Sequence, residues 1–111
     1  MKRLVIALAF SLSACAATQR GAESPEARGR ALAEANCASC HAIGRHGESA
    51  APEAPPFRTL SQNYRVDALE EALAEGISVG HPAMPHFQFE PEDIDAIIAY
   101  LQSVQNEGRH E

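Results

Sequence analysis

The sequence predicts an all-α domain, and three observations support this prediction. Two segments begin with a proline followed by acidic residues, which is typical of helix starts. Two segments carry apolar residues at helical spacing, whereas no segment alternates apolar and polar residues for long enough to indicate a strand. Long stretches rich in proline and glycine separate the helical segments and indicate loops. The chain has 111 residues, which is enough for one domain.

The first predicted helix runs from Pro25 to about Asn36. Ser24 precedes it as an N-cap, Pro25 takes the first helical position, and Glu26 places a negative charge at the positive end of the helix. Gly29 lies inside this helix and lowers its intrinsic stability. We therefore expect Gly29 to serve the close approach of another element.

Two short helices are predicted in the middle of the chain, between two loops. Residues 42–56 are rich in glycine, alanine, proline, serine and histidine without any period, which indicates a loop. A short helical turn is predicted over residues 58–63 and a longer helix over residues 66–75, which Gly76 ends. The apolar face of the longer helix consists of Val66, Leu69, Ala72 and Leu73.

The last helix is predicted to begin at Pro91, after a second loop over residues 77–89. Acidic residues in its first turn interact favourably with the positive end of the helix dipole. Apolar residues at positions i, i+3, i+4 and i+7 predict one buried stripe, and these are Ile94, Ile97, Ile98 and Leu101.

The first 14 residues have the features of a secretory signal peptide. Met1-Lys2-Arg3 carries positive charge, and residues 4–12 form an apolar run that is too short to span a bilayer. The alternative is a buried N-terminal helix, but the order of charge, apolar run and small residues favours the signal peptide. We therefore expect the chain to be exported.

Removal of the signal peptide would make the chain more acidic. The full sequence has a formal net charge of −6, and without Lys2 and Arg3 seven basic residues face fifteen acidic ones, a net charge of −8. Such a charge is unsuited to direct binding of nucleic acid or of anionic lipid headgroups. We therefore expect no nucleic-acid partner.

The main chemical motif of the sequence is Cys37-Ala38-Ser39-Cys40-His41. The spacing C-x-x-C-H is typical of covalent haem c attachment, with both cysteines bonded to the porphyrin and the histidine bound to its iron. A redox-active dithiol would need a preceding strand, and a zinc site would need a second pair of ligands at suitable spacing. Neither is evident, so the motif predicts one covalently attached haem c.

The sixth position of the haem iron has a leading candidate in Met84. This residue stands in a loop between two prolines, which stiffen the backbone around it. A thioether ligand opposite a histidine raises the reduction potential and closes the iron to small ligands. His81 and His86 are the alternatives, and each would make a bis-histidine site.

The third cysteine, Cys15, needs a separate explanation because an odd number of cysteines is unusual in an exported chain. It directly follows the apolar run, and residues 12–15, Leu-Ser-Ala-Cys, resemble the lipobox of bacterial lipoproteins. That resemblance implies cleavage after Ala14 and stable attachment to a membrane through lipid on Cys15. Residues 15–24 would then form a tether. The alternative is a secreted chain that is cleaved at a small-residue site.

From residue 25 to residue 104 the chain resembles a class I cytochrome c of the small bacterial kind. The resemblance rests on the C-x-x-C-H motif after the first helix, on the Met84-Pro85 pair, and on the last helix. It implies N- and C-terminal helices that cross, with the middle helices and loops wrapping one covalently attached haem. In this family a glycine of the first helix admits an aromatic residue of the last, and Gly29 and Tyr100 match that pair.

The family also places a proline carbonyl against the ligand histidine. Here Pro55 is the favoured match, Pro56 is the alternative, and Phe57 is expected to pack on the haem. The hydrogen bond to that carbonyl orients the imidazole of His41 and makes it a better donor to the iron. These assignments are implied by the resemblance.

The chain departs from the family in three respects. The loop between His41 and Pro55 is expanded. The tryptophan that often bonds a haem propionate is absent, and Arg58, Tyr64 and Arg65 are candidates to replace it. The ring of lysines that many mitochondrial-type carriers use for docking is missing, because the single lysine lies in the signal peptide.

The resemblance implies a one-electron carrier rather than an enzyme, with redox proteins as donors and acceptors. We expect the domain to cover residues 25–106, followed by a tail over residues 107–111. The expected location is the periplasmic side of a bacterial membrane, with the soluble periplasm as the alternative. Two other roles stay open: a haem c subunit of a larger dehydrogenase or oxidase, and a ligand-binding or peroxidatic protein with a labile sixth ligand.

Overall fold

The computed structural model describes residues 21–76 and 83–106 of the chain. No strand occurs in these two ranges, and the predicted all-α class is confirmed. The elements are α1 (Pro25–Asn36), a 3₁₀ helix (Phe57–Gln62), α2 (Leu69–Glu75) and α3 (Pro91–Val104). The predicted signal peptide, most of the predicted tether and the tail lie outside the described residues.

Helix α1 begins and ends where the sequence predicts. The Ser24 hydroxyl accepts a hydrogen bond from the Ala27 N–H at 3.2 Å, as expected of an N-cap. At the other end, the Cys37 N–H donates to the Ala33 carbonyl at 2.8 Å. The haem motif therefore starts at the last turn of α1.

Helices α1 and α3 pack directly against each other around Gly29. A Cβ atom at Gly29 would lie 1.9 Å from the Ala96 carbonyl oxygen and 2.7 Å from the Tyr100 Cβ. No other residue fits this approach without moving the α3 backbone, which confirms the expected role of Gly29 opposite Tyr100. An ion pair between Arg28 and Asp93 joins the same two helices at the surface.

Helix α3 supplies most of the core. The predicted stripe is buried, and each of its four members, Ile94, Ile97, Ile98 and Leu101, exposes 9% of its surface or less. The stripe continues one turn further to Val104. The buried apolar cluster also includes Ala33 of α1, Tyr100 of α3, Phe57 of the 3₁₀ helix, Val66 in the turn before α2, and Leu73 of α2. The 3₁₀ helix and α2 therefore pack on the same helix that closes against α1.

Two boundaries in the middle of the chain differ from the prediction. The helix predicted over residues 66–75 begins at Leu69, because residues 66–68 form turns with bonds to carbonyls three residues back, such as Leu69 N–H to Val66 at 3.1 Å. The helical turn predicted over residues 58–63 is the 3₁₀ helix, and it starts at Phe57. Apolar spacing does not distinguish such tight turns from an α-helix over so few residues.

Within the described ranges, no helix has both the length and the apolar character needed to cross a membrane.

Candidate functional site

The two cysteines and the histidine of the C-x-x-C-H motif lie in one tight turn at the end of α1. The Cys40 and His41 N–H groups both donate to the Cys37 carbonyl, at 3.1 and 2.9 Å. Both cysteines are half-buried and neither forms a disulfide. Two thiols and an imidazole therefore lie within a single turn, at the edge of the core.

The environment of Cys37 does not favour the dithiol interpretation of this motif. Burial raises the pKa of the Cys37 thiol to about 11, from an ordinary value of 9.0. A redox-active cysteine works as the thiolate and usually has a lowered pKa. In the part of the chain that the structure describes, no three His, Cys, Asp or Glu side chains gather as a metal-binding group.

The His41 ring is oriented by a carbonyl of the following loop. Its Nδ1 lies 2.8 Å from the Pro55 carbonyl oxygen. Because a carbonyl only accepts hydrogen bonds, Nδ1 must carry the proton and donate it. The neutral imidazole then has its lone pair on Nε2, which is the atom left to bind a metal.

The structure distinguishes the two prolines that the sequence leaves open. The Pro56 carbonyl accepts from the Thr59 N–H at 3.1 Å and from the Thr59 hydroxyl at 3.0 Å, as the start of the 3₁₀ helix. Pro55 is thus the residue whose carbonyl faces His41, while Pro56 serves the helix start.

Phe57 supports the His41 ring from the core side. Its ring centroid lies 5.3 Å from that of His41, with a tilt of 48° between the planes. The Phe57 N–H donates to the Ala42 carbonyl at 2.9 Å, so the backbone after Pro55 is bonded to the backbone just after His41. Phe57 is buried, with 6% of its surface exposed. These contacts join segment 55–57 to His41 and to the residue after it.

Gln105 is a residue near this site that the sequence reasoning missed. It follows α3 directly, is buried, and donates a hydrogen bond to the Phe57 carbonyl at 2.7 Å. A signal was present, because Gln105 stands four residues after Leu101, where the apolar stripe of α3 continues. A polar residue in such a place indicates a buried hydrogen-bonding role.

The predicted second ligand, Met84, lies half-buried at a bend before α3. Downstream of it, the Phe87 and Phe89 rings stack with centroids 5.7 Å apart, and Phe89 packs on the core. His86 is exposed, next to Gly76 at the end of α2. His81 and the proline before Met84 lie outside the described residues. The assignment of Met84 as a ligand stays a prediction.

Two of the three candidates for a haem propionate partner, Arg58 and Arg65, have other interactions in the structure. Arg58 donates to the Gly47 carbonyl at 2.8 Å, and Arg65 forms an exposed ion pair with Asp67. Tyr64 is half exposed. Their role towards a propionate stays a prediction.

A surface cleft of about 640 Å³ lies behind His41, between α1, α3 and the loop that follows the motif. His41 itself lines this cleft, together with the charged side chains of Arg30, Glu34 and Arg45, whereas neither Cys37 nor Cys40 contributes to it.

Comparison with known protein families decides among the interpretations of this geometry. The family described as Cytochrome c matches residues 26–105, a range that contains nearly all of the four helical elements. This chain belongs to the cytochrome c family. No curated protein and no solved structure matches this cytochrome.

Membership of the family means that this cytochrome binds haem c covalently and works as an electron carrier. The residues of the site fit that group. They offer two thiols three positions apart, an imidazole whose Nε2 keeps its lone pair, and partly buried apolar side chains beside the core. These apolar side chains include Ile43, Leu60, Leu69 and Phe89. The cytochrome c fold, with its N- and C-terminal helices packed together, is also confirmed.

Proposed function

We propose that this cytochrome carries single electrons between redox proteins on the periplasmic side of a bacterial membrane, with His41 and Met84 as its axial ligands. When bound, the haem supplies the redox chemistry by changing the oxidation state of its iron. The chain's own residues attach the haem, set the strength of its ligands and limit the access of water. The hydrogen bond from His41 Nδ1 to the Pro55 carbonyl carries this proposal.

This hydrogen bond serves a ligand in two ways. It selects the tautomer with the lone pair on Nε2, and it makes that nitrogen a stronger donor. The Phe57 ring at 5.3 Å also limits rotation of the imidazole. An imidazole that is fixed in direction and rich in electrons suits a permanent ligand of an electron carrier.

Met84 is proposed as the opposite ligand because it is the single methionine left after signal removal, and because it lies half-buried beside a stiffening proline. We expect the oxidised cytochrome to show the long-wavelength sulfur-to-iron absorption band. Met84→Ala should abolish the band, lower the reduction potential, and allow carbon monoxide or cyanide to bind, since one position has opened.

The matched control is His86→Ala, because His86 is exposed two residues further along the same segment. It should keep both the band and the wild-type potential. A band that survives in Met84→Ala contradicts the ligand assignment. Carbon monoxide binding by reduced wild type would instead indicate a labile sixth position and a ligand-binding or peroxidatic role.

We also propose that lipid on Cys15 anchors the cytochrome to the membrane. The support is the sequence of residues 12–15 and the position of Cys15 directly after the apolar run. Cys15→Ser should move the haem protein from the membrane fraction to the soluble periplasm, or stall its processing. Mass spectrometry that finds an unmodified thiol at Cys15 contradicts the anchor and supports a secreted protein.

A further inference from the structure

Gln105 is the one buried polar side chain of the described residues, with 9% of its surface exposed. A buried amide costs free energy unless its polar atoms find partners. Both N–H bonds of the Gln105 amide are used, since Nε2 donates to the Phe57 and Leu101 carbonyls at 2.7 Å each. Its Oε1 accepts from the Ser61 N–H at 2.8 Å. Gln105 therefore joins both ends of the 3₁₀ helix to the end of α3.

The chemistry of these partners requires an amide in one orientation. Two carbonyls need donors, and one N–H needs an acceptor. A reversed amide would set its oxygen against both carbonyls, and a carboxylate would do the same with a negative charge. An apolar side chain would leave all three backbone groups without this partner, and the bonds to the two carbonyls are buried. Among common side chains of this length, glutamine alone satisfies all three groups.

The bond to the Phe57 carbonyl connects Gln105 to the haem motif. Phe57 packs on the His41 ring and follows Pro55, whose carbonyl accepts from His41, by two residues. The Phe57 N–H is bonded to Ala42 on the side of the motif. Phe57 is thus fixed from both directions: by Ala42 through its N–H, and by Gln105 through its carbonyl.

We propose that Gln105 is a positioning residue for the His41 imidazole, acting through Phe57 and Pro55. The proposal rests on the proposed function, in which His41 is an axial ligand. Gln105 keeps the Pro55 carbonyl within hydrogen-bond distance of Nδ1, and that bond makes Nε2 a stronger donor. A stronger donor favours oxidised iron, so Gln105 lowers the reduction potential of the cytochrome.

The test compares haem-loaded full-length variants by redox titration and by NMR of the oxidised protein, in which an iron-bound imidazole has strongly shifted ring resonances. Gln105→Leu should raise the reduction potential, because it removes the three hydrogen bonds without adding a charge. At a fixed ambient potential, the ratio of reduced to oxidised protein should therefore rise several-fold. The His41 ring resonances should move as well, because the ring changes its orientation or its hydrogen bond.

Two kinds of control separate positioning from stability. Gln102 is exposed on the same helix, so Gln102→Leu should leave the potential and the resonances unchanged. Ile94 is buried towards the other end of α3, and Ile94→Ala should lower the melting temperature without moving either readout.

The proposal is overturned if the Gln105 variants lose stability, as Ile94→Ala does, but keep the wild-type potential and His41 resonances. Where Gln105→Leu yields no folded haem protein, Gln105→Asn takes its place, because it keeps the amide and shortens its reach. It should give a smaller rise of the same sign, and an unchanged potential there also overturns the proposal. Wild-type His41 resonances without an iron-induced shift contradict the ligand assignment itself, before any Gln105 variant is made.

Discussion

The two segments that contain the proposed iron ligands are placed by different kinds of interaction. On the His41 side, hydrogen bonds determine the geometry, from the imidazole to the Pro55 carbonyl and from Phe57 to Ala42. On the Met84 side, residues 83–89 have no backbone hydrogen bond within the described part of the chain. In the described part of the chain, apolar packing holds this segment, with Phe87 stacked on Phe89 and Phe89 packed on the core.

This difference predicts how each side responds to change. Hydrogen bonds are directional and fix the orientation of a ring, whereas apolar packing fixes a position through shape. Changes to the hydrogen bonds on the His41 side should therefore alter the reduction potential while the ligand stays bound. Changes on the Met84 side should alter how readily the ligand is replaced.

The largest expected effect comes from removing the covalent attachment on the His41 side. Cys37→Ala with Cys40→Ala should leave a chain that retains no haem after acid–acetone extraction. Far-UV circular dichroism should show that it is largely unfolded, because a domain of this size depends on its cofactor. Ser39→Ala, at the exposed position between the cysteines, should keep its haem. A double variant that unfolds cooperatively without haem contradicts this prediction.

An intermediate effect is expected where α1 approaches α3. Gly29→Ala puts a methyl group against the Ala96 carbonyl, so we expect a loss of about 1–3 kcal/mol in the free energy of unfolding. Denaturant titration measures this loss. The control is Ala35→Gly, because Ala35 is exposed on the same helix. This substitution measures the cost of helix propensity alone, which is about 1 kcal/mol. A Gly29→Ala protein as stable as wild type would mean that α3 moves away freely.

The smallest effect is expected at the end of α2, beside the Met84 segment. Gly76 has a φ of 88°, and a Cβ there would contact His86 at 3.5 Å. Gly76→Ala should cost about 1–2 kcal/mol of stability, because this backbone conformation is strained for alanine. If Gly76 helps to place the Met84 segment, the variant should also lose its sulfur-to-iron band at a lower cyanide concentration than wild type does. Gly44→Ala is the control, since its φ is ordinary and nothing lies within 4 Å.

The elements of the fold that can be predicted from the sequence are those marked by a pattern of neighbouring residues. Ser24 and Pro25 mark the start of α1, and the stripe from Ile94 to Leu101 marks the buried face of α3. The start of α2 was placed three residues early, because buried Val66 lies in a turn that continues the apolar pattern. Local patterns thus identified the helices but not the tight turns at their ends.

The candidate site was predictable to the extent that its residues are neighbours in sequence. The C-x-x-C-H motif is contiguous, so its chemistry was evident from spacing alone. The choice between Pro55 and Pro56 was not, because adjacent carbonyls point in different directions that only the folded loop determines. Gln105 contacts Phe57 across 48 positions, and no local pattern records such a contact.

The contact between α1 and α3 also determines when this domain can be completed during synthesis. Arg28 and Asp93, which join the two helices, are 65 positions apart, and Gln105 comes later still. The haem motif therefore emerges well before the helix that packs against it, whether from the ribosome or, under the proposed export, on the far side of the membrane. Until α3 follows, neither the α1–α3 contact nor the Gln105 bonds exist, so both cysteines are on a chain whose core is incomplete. Loss of a few residues after α3 would remove Gln105 and leave a cytochrome that keeps its motif but lacks the last support of its histidine.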